Sequence, residues 1–183
     1  MVEIKDGRGT GNKAKVTTEG FLEVIANMRT LGAEVAQHHG EMFAWSILDN
    51  TSGVEYVLAI RNENATKNLI IEGIRICNDA ASVWTVAFGT WSTVGGGVEV
   101  TPQNMNATSG KEADATAYMT ATNLVIKGEE LIVSYAPAGA ERTFQVQGRI
   151  VLGFNDVLYI HNSAASTAFL TANIKGYFLD PEE

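Results

Sequence analysis

What the chain lacks narrows its identity first. It has one cysteine in 183 residues, so no internal disulfide framework holds it together. A chain of that length buries a sizeable core without such staples. Cys77 lies in the apolar run "LIIEGIRIC" and reads as a small buried hydrophobe. Only three prolines occur, at 102, 137 and 181, and no stretch is low in complexity, so no domain linker is marked. Basic residues are also scarce: 13 Lys and Arg stand against 21 Asp and Glu, for a net charge of −8. That balance argues against a nucleic-acid partner, whose phosphates require clustered cations. No apolar run reaches membrane-spanning length, so no membrane partner is expected. The start, "MVEIKDGRGTG", is polar and glycine-rich, unlike a secretory signal. The Asn-x-Ser/Thr sequons at Asn50, Asn64 and Asn106 therefore read as accidental, each marking a surface turn.

What is present is alternation. "VEYVLAIRN" places Val54, Tyr56, Leu58 and Ile60 on one face. "RTFQVQGRIVLG" sets Phe144, Val146, Ile150 and Leu152 against Gln145, Gln147 and Arg149. "STAFLTANIKGYFL" sets Ala168, Leu170, Ala172, Ile174 and Phe178 against Thr171, Asn173 and Lys175. A period of two is what a half-buried strand requires. "MFAWSIL", "LIIEGIRIC", "SVWTVAF", "NLVIKG", "ELIVSYA" and "DVLYIHN" add further strands, separated by Gly, Asn, Asp and Ser. This spacing predicts an all-β fold, an antiparallel β-sandwich of jelly-roll type. Amphipathic helices between strands are missing, which disfavours a parallel α/β sheet. "FLEVIANMRTLGAEVAQHHG" is ambiguous. It reads as a strand at 21–26 followed by an irregular crossing with a helical turn, the alternative being one helix over 21–37. "LDPEE" reads as a solvated tail.

Candidate chemistry is thin. "DGRGTGNKAK" fails the phosphate-loop pattern, because its glycines alternate and Ala14 stands where a hydroxyl residue is needed. No nucleotide cofactor is expected. His38 and His39 are neighbours that a strand would point to opposite faces, and His161 stands alone, so no metal site is expected. No strained Gly-x-Ser-x-Gly turn is present, and Glu129-Glu130 read as solvated turn residues, so no catalytic residue is assigned. Trp45, Trp84 and Trp91, with Tyr56, Tyr118, Tyr135, Tyr159 and Tyr177, sit in or beside strands. They read as core and subunit packing, with carbohydrate stacking as the alternative.

One polar stretch interrupts the strands. Thr101, Pro102, Gln103, Asn104 and Asn106, in "VTPQNMNATSG", offer amides that donate and accept without a charge to desolvate. Pro102 ends pairing with a neighbouring strand. Such a segment suits either a subunit boundary or an intramolecular crossover of the sandwich.

Several ordered pieces together resemble a known group. They are "DGRGTGNKAKVTTEGFLEV", "AEVAQHHGEMFAWSI", "VLAIRNENATKNLIIEGIRI", "VTPQNMNATSG", and the closing "VLYIHN" and "ANIKGYFLD". The chain resembles the tailed-phage virion structural proteins with jelly-roll domains. The resemblance implies many copies on a particle and contacts in place of catalysis. It leads us to expect a non-enzymatic capsid decoration or cement protein, made in the host cytoplasm and located in the virion. Its expected partners are its own copies, as a homotrimer, and other virion proteins such as the major capsid protein. A carbohydrate- or receptor-binding sandwich of a fibre or spike is the alternative, and an enzyme with unannounced carboxylates a third. Residues 1–19 are expected to form an extended N-terminal arm, whose Lys5, Arg8, Lys13 and Lys15 would meet an acidic neighbour, ahead of a single sandwich domain over 20–183. The trimer expectation also rests on strands that look apolar on both faces, such as "LIIEGIRIC" and "SVWTVAF".

Overall fold

The computed structural model describes residues 3–5, 13–16, 22–25, 35–49, 55–91, 97–119, 124–164 and 169–181. Among them every regular element but one is a strand. The exception is a single π-helical turn, Val35–His39. Three short strands come first: β1 (Glu3–Lys5), β2 (Lys13–Val16) and β3 (Leu22–Ile25). They form an antiparallel sheet in the order β1-β2-β3. The strand at 22–25, paired with β2 from Lys13↔Ile25 to Val16↔Leu22, overturns the single-helix alternative for 21–37. Its Leu22-Glu23-Val24-Ile25 run is rich in β-branched residues, which fit a pleated ladder better than a helix.

The remaining strands build two antiparallel sheets that face each other as a sandwich. The five-stranded sheet contains β4 (Met42–Asp49), β6 (Asn68–Asn78), β9 (Gln103–Asn104), β12 (Arg142–Leu152) and β14 (Leu170–Leu179). The six-stranded sheet contains β5 (Glu55–Asn62), β7 (Ser82–Trp91), β8 (Val98–Glu99), β10 (Ala115–Met119), β11 (Leu124–Ala136) and β13 (Val157–Asn162). Their orders are β12-β6-β14-β4-β9 and β11-β7-β13-β5-β10-β8. Consecutive strands mostly alternate between the two sheets, so the connections cross the ends of the sandwich.

The core lies between the sheets. Phe43, Trp45, Leu69, Ile74, Leu152 and Ile174 from one side meet Leu58, Ile60, Trp84, Val86, Leu158 and Ile160 from the other. Phe43 packs edge-on against Phe178 at 5.9 Å between ring centres. Trp45 and Trp84 are fully buried, as packing aromatics are. Phe144, Val146, Ile150 and Leu152 also pack inward, as their alternation predicts.

Two bulges change faces that simple alternation gets wrong. In β6, Glu72 is an extra residue: β14 pairs Lys175 with Gly73 and Gly176 with Ile71. Leu69 and Ile71 therefore face the core before the bulge, and Ile74 and Ile76 after it. Part of the two-sided apolar look of "LIIEGIRIC" is this switch of parity. The rest is Ile70, which packs outward with Val35, Met42 and Tyr177 of the same chain. In β5, Ile160 pairs with Leu58 and His161 with Tyr56, leaving Val57 extra. Tyr56 thus sits on the outer face beside Tyr159 (5.2 Å) and His161 (5.4 Å), not with Leu58 and Ile60. The strand chemistry allows this, because a bulge costs one ladder position and not the core. Cys77 likewise departs from expectation. It is only half-buried, because Ile76 takes the inward position beside it. Burial, with the nearby charges of Glu141 and Asp79, pushes its thiol up from the ordinary value, away from the reactive thiolate.

Candidate functional site

The polar stretch that interrupts the strands runs from one sheet to the other. β8 pairs with β10 in the six-stranded sheet, and β9 pairs with β4 in the five-stranded one. Thr101 and Pro102 lie between them. The path is an intramolecular crossover. Thr101 and Gln103 are exposed, and Pro102 is half-buried at the change of sheet.

Asn104 and Asn106 are spent inside the chain. Asn104 Oδ1 accepts from the Asn106 amide (2.8 Å), and its Nδ2 donates to the carbonyls of Gly40 (2.9 Å) and Lys111 (3.0 Å). Asn106 Oδ1 accepts from the Thr108 amide (3.1 Å) and hydroxyl (2.7 Å), and its Nδ2 donates to the Ala36 carbonyl (3.0 Å). Each side chain mimics a backbone turn with one atom and reaches the distant 36–40 segment with the other.

The same device occurs twice. Asn62-Glu63-Asn64-Ala65-Thr66 repeats the pattern of Asn104-Met105-Asn106-Ala107-Thr108. Asn62 Oδ1 accepts from the Asn64 amide (2.9 Å), and Asn64 Oδ1 accepts from the Thr66 amide (2.9 Å) and hydroxyl (3.0 Å). Asn62 Nδ2 donates to the carbonyls of Lys67 and Leu152, both at 2.9 Å. Both motifs start on the last residue of a strand, and both lead the chain to the opposite sheet.

The two loops meet at Glu41. Lys67, just after the first motif, donates to Oε2, and Lys111, just after the second, donates to Oε1, each at 2.6 Å. Burial pushes the Glu41 carboxyl up. The hydrogen bonds and charges of Lys111 and Lys67 outweigh it and hold the group below the ordinary glutamate value. Asn64 Nδ2 donates to Asp114 Oδ2 at 2.7 Å on the same side. A cleft of about 530 Å³ lies here, lined by Glu41, Asn64, Lys67, Lys111, Asp114 and Phe178 among others. A carboxylate satisfied by two ammonium groups is a poor general base, and both ammonium groups are committed to it. The arrangement ties strand ends together. Sequence reasoning missed Glu41, Asn62, Asn64, Lys67 and Lys111. The signal was available as the Asn-x-Asn-Ala-Thr repeat with a lysine downstream of each copy.

The other singled-out residues are placed as follows. Lys5 and Lys13 are cross-strand partners in the N-terminal sheet, and Lys15 pairs with Glu3. Arg8 lies outside the described residues. His39 is exposed on the π-helical turn that also contains His38. Burial holds His161 below its ordinary value, against the opposing charge of Glu130. Among the described residues no group of three His, Cys, Asp or Glu side chains could hold a metal ion, and no helix is long and apolar enough to cross a membrane. Trp91 and Tyr118 meet edge-on at 5.6 Å on the outer face of the six-stranded sheet, both half-buried.

A second surface stands out at the edge of that sheet. β11 is an edge strand. Leu131, Val133 and Tyr135 on it are 40%, 55% and 60% exposed, and Val83, paired with Tyr135, is 38% exposed.

Comparison of the chain with protein-family models, curated proteins and solved structures gives no match.

Proposed function

We propose that the protein is a non-enzymatic structural component of a tailed-phage virion, a capsid decoration protein that works through subunit contacts. The observation that carries the assembly role is the β11 edge. Proteins that stay monomeric blunt such edges with charge or cover them. Here four neighbouring apolar side chains are left exposed beside an unpaired ladder edge among the described residues. The virion assignment itself rests on the sequence resemblance.

The strand orders support the jelly-roll reading. Set β8, β9 and β10 aside as an insertion. The rest then gives β12-β6-β14-β4 facing β11-β7-β13-β5, two four-stranded sheets wound by strands that alternate between them. That architecture serves shells and lectins alike, so it does not decide function alone. The N-terminal stretch would add a basic contact. Within residues 1–19, Lys5, Arg8, Lys13 and Lys15 outnumber Glu3, Asp6 and Glu19 in a chain of net charge −8. A homotrimer built on β11, docked to the major capsid protein through residues 1–19, is the arrangement we propose.

Native mass spectrometry and binding to assembled shells test it. The wild type should run as a trimer. Val133→Lys should shift it toward monomer, and removal of residues 1–19 should weaken shell binding while the sandwich still melts cooperatively. A wild type that is monomeric at micromolar concentration, with no affinity for shells, would sink the proposal. The second reading, a glycan-binding sandwich, draws on the exposed Tyr135 ring. It would be favoured by glycan binding that Tyr135→Ala abolishes.

A further inference from the structure

The second asparagine loop does more than turn the chain. It holds the 35–40 turn, which leads into β4. Asn106 Nδ2 reaches the Ala36 carbonyl at 3.0 Å. Asn104 Nδ2 and Ser109 Oγ both reach the Gly40 carbonyl, at 2.9 and 3.2 Å. Contact is tight: Gly40 has φ +63°, and a Cβ there would lie 2.4 Å from Ser109 Oγ. The next residue is Glu41, the point where Lys67 and Lys111 tie both loops together.

We propose that this assembly is a releasable latch: the 104–111 loop clamps the 36–40 turn ahead of β4, and the charge on Glu41 locks the clamp. Neutralising Glu41 frees the 36–40 turn while the sandwich stays folded. The sandwich does not depend on the latch, because its core is built from other strand residues. Val35 stays anchored against Met42, Ile70 and Tyr177, so it serves as the hinge. Glu41 also keeps a route to solvent, since the Lys111 side chain is half exposed. The charged groups against Glu41 are the Lys67 and Lys111 ammonium groups, and Asn64 and Phe178 line the cleft beside it. Glu112 and Asp114 line the same cleft. Either of those two carboxylates would lose charge in the same direction as Glu41 on acidification, so a variant is needed to isolate it. This device is independent of the virion reading.

Residue-resolved hydrogen exchange on the full chain at neutral pH tests the latch. The reporters are the Gly40 amide, bonded to the Val35 carbonyl, and the Asn106 amide, bonded to Asn104 Oδ1. Glu41→Gln should lower protection at both by about tenfold or more, with the β5 and β13 amides changed by less than about threefold. Lys111→Met should give the same pattern at smaller amplitude, and serves if the first variant folds poorly. Unchanged protection at Gly40 and Asn106 overturns the proposal. So does an equal loss at every amide, because that would make Glu41 a global stability residue and not a lock.

Discussion

The two Asn-x-Asn-Ala-Thr loops share a sequence pattern and a local geometry, yet differ in burial. Asn62 is fully buried and ties the first loop to the Leu152 carbonyl, at the end of β12 in the opposite sheet. Asn104 is half-buried and ties the second loop to the Gly40 carbonyl, outside the strands. Water reaches the second set of bonds more readily than the first, whose link to Leu152 is buried. The same five-residue pattern therefore makes a structural rivet in one place and an adjustable clamp in the other.

The sharpest way to test that difference is a pair of alanine variants. Asn62→Ala strands a buried carbonyl and an amide, and should cost roughly 2–3 kcal/mol in urea unfolding. Asn104→Ala, beside solvent, should cost only about 1 kcal/mol by the same measurement. Equal costs would erase the distinction. Gly40→Ala probes the clamp alone. It forces a side chain into a left-handed backbone position and against Ser109, and about 1–2 kcal/mol is expected. The corresponding contact does not exist in the first loop.

Acid should act on the point the loops share. Folded Glu41 binds its proton less readily than unfolded glutamate. The tie therefore contributes fully above the ordinary value of 4.5 and is lost as the pH falls below it. A pH series of hydrogen-exchange protection at the Gly40 amide should show that loss, and Glu41→Gln should remove it. His161 acts earlier. Its folded form is held below 6.5 by burial, so the unfolded chain takes up the proton first and stability starts to decline as the pH drops past 6.5. In melting temperatures followed against pH, His161→Gln should remove that step. The smallest expected effect is that of a chelator: EDTA should leave the melting temperature unchanged, and a fall restored by one divalent ion would reveal a site that neither loop explains.

Much of the strand content was legible in the sequence. Phe144, Val146, Ile150 and Leu152 alternate cleanly, and they face the core. Tyr56 and the run around Glu72 were not legible in the same way. A bulge is set by how two neighbouring strands keep register, and a single strand's pattern does not record its neighbours. The candidate site failed for a related reason. Glu41 and Lys111 are 70 residues apart, and nothing local marks a carboxylate that will receive two distant ammonium groups.

The sequence by itself determined the class of the fold and the shape of each asparagine turn. Both follow from interactions between residues a few positions apart: alternation of apolar side chains, and an Asn oxygen that accepts from the amide two residues on. Only the tertiary structure decided which face Tyr56 joins, which Asn is buried, and that two lysines from two loops converge on one glutamate. Those outcomes depend on the pairing of strands distant in the chain, whose register and crossing are fixed by burial of the whole core at once.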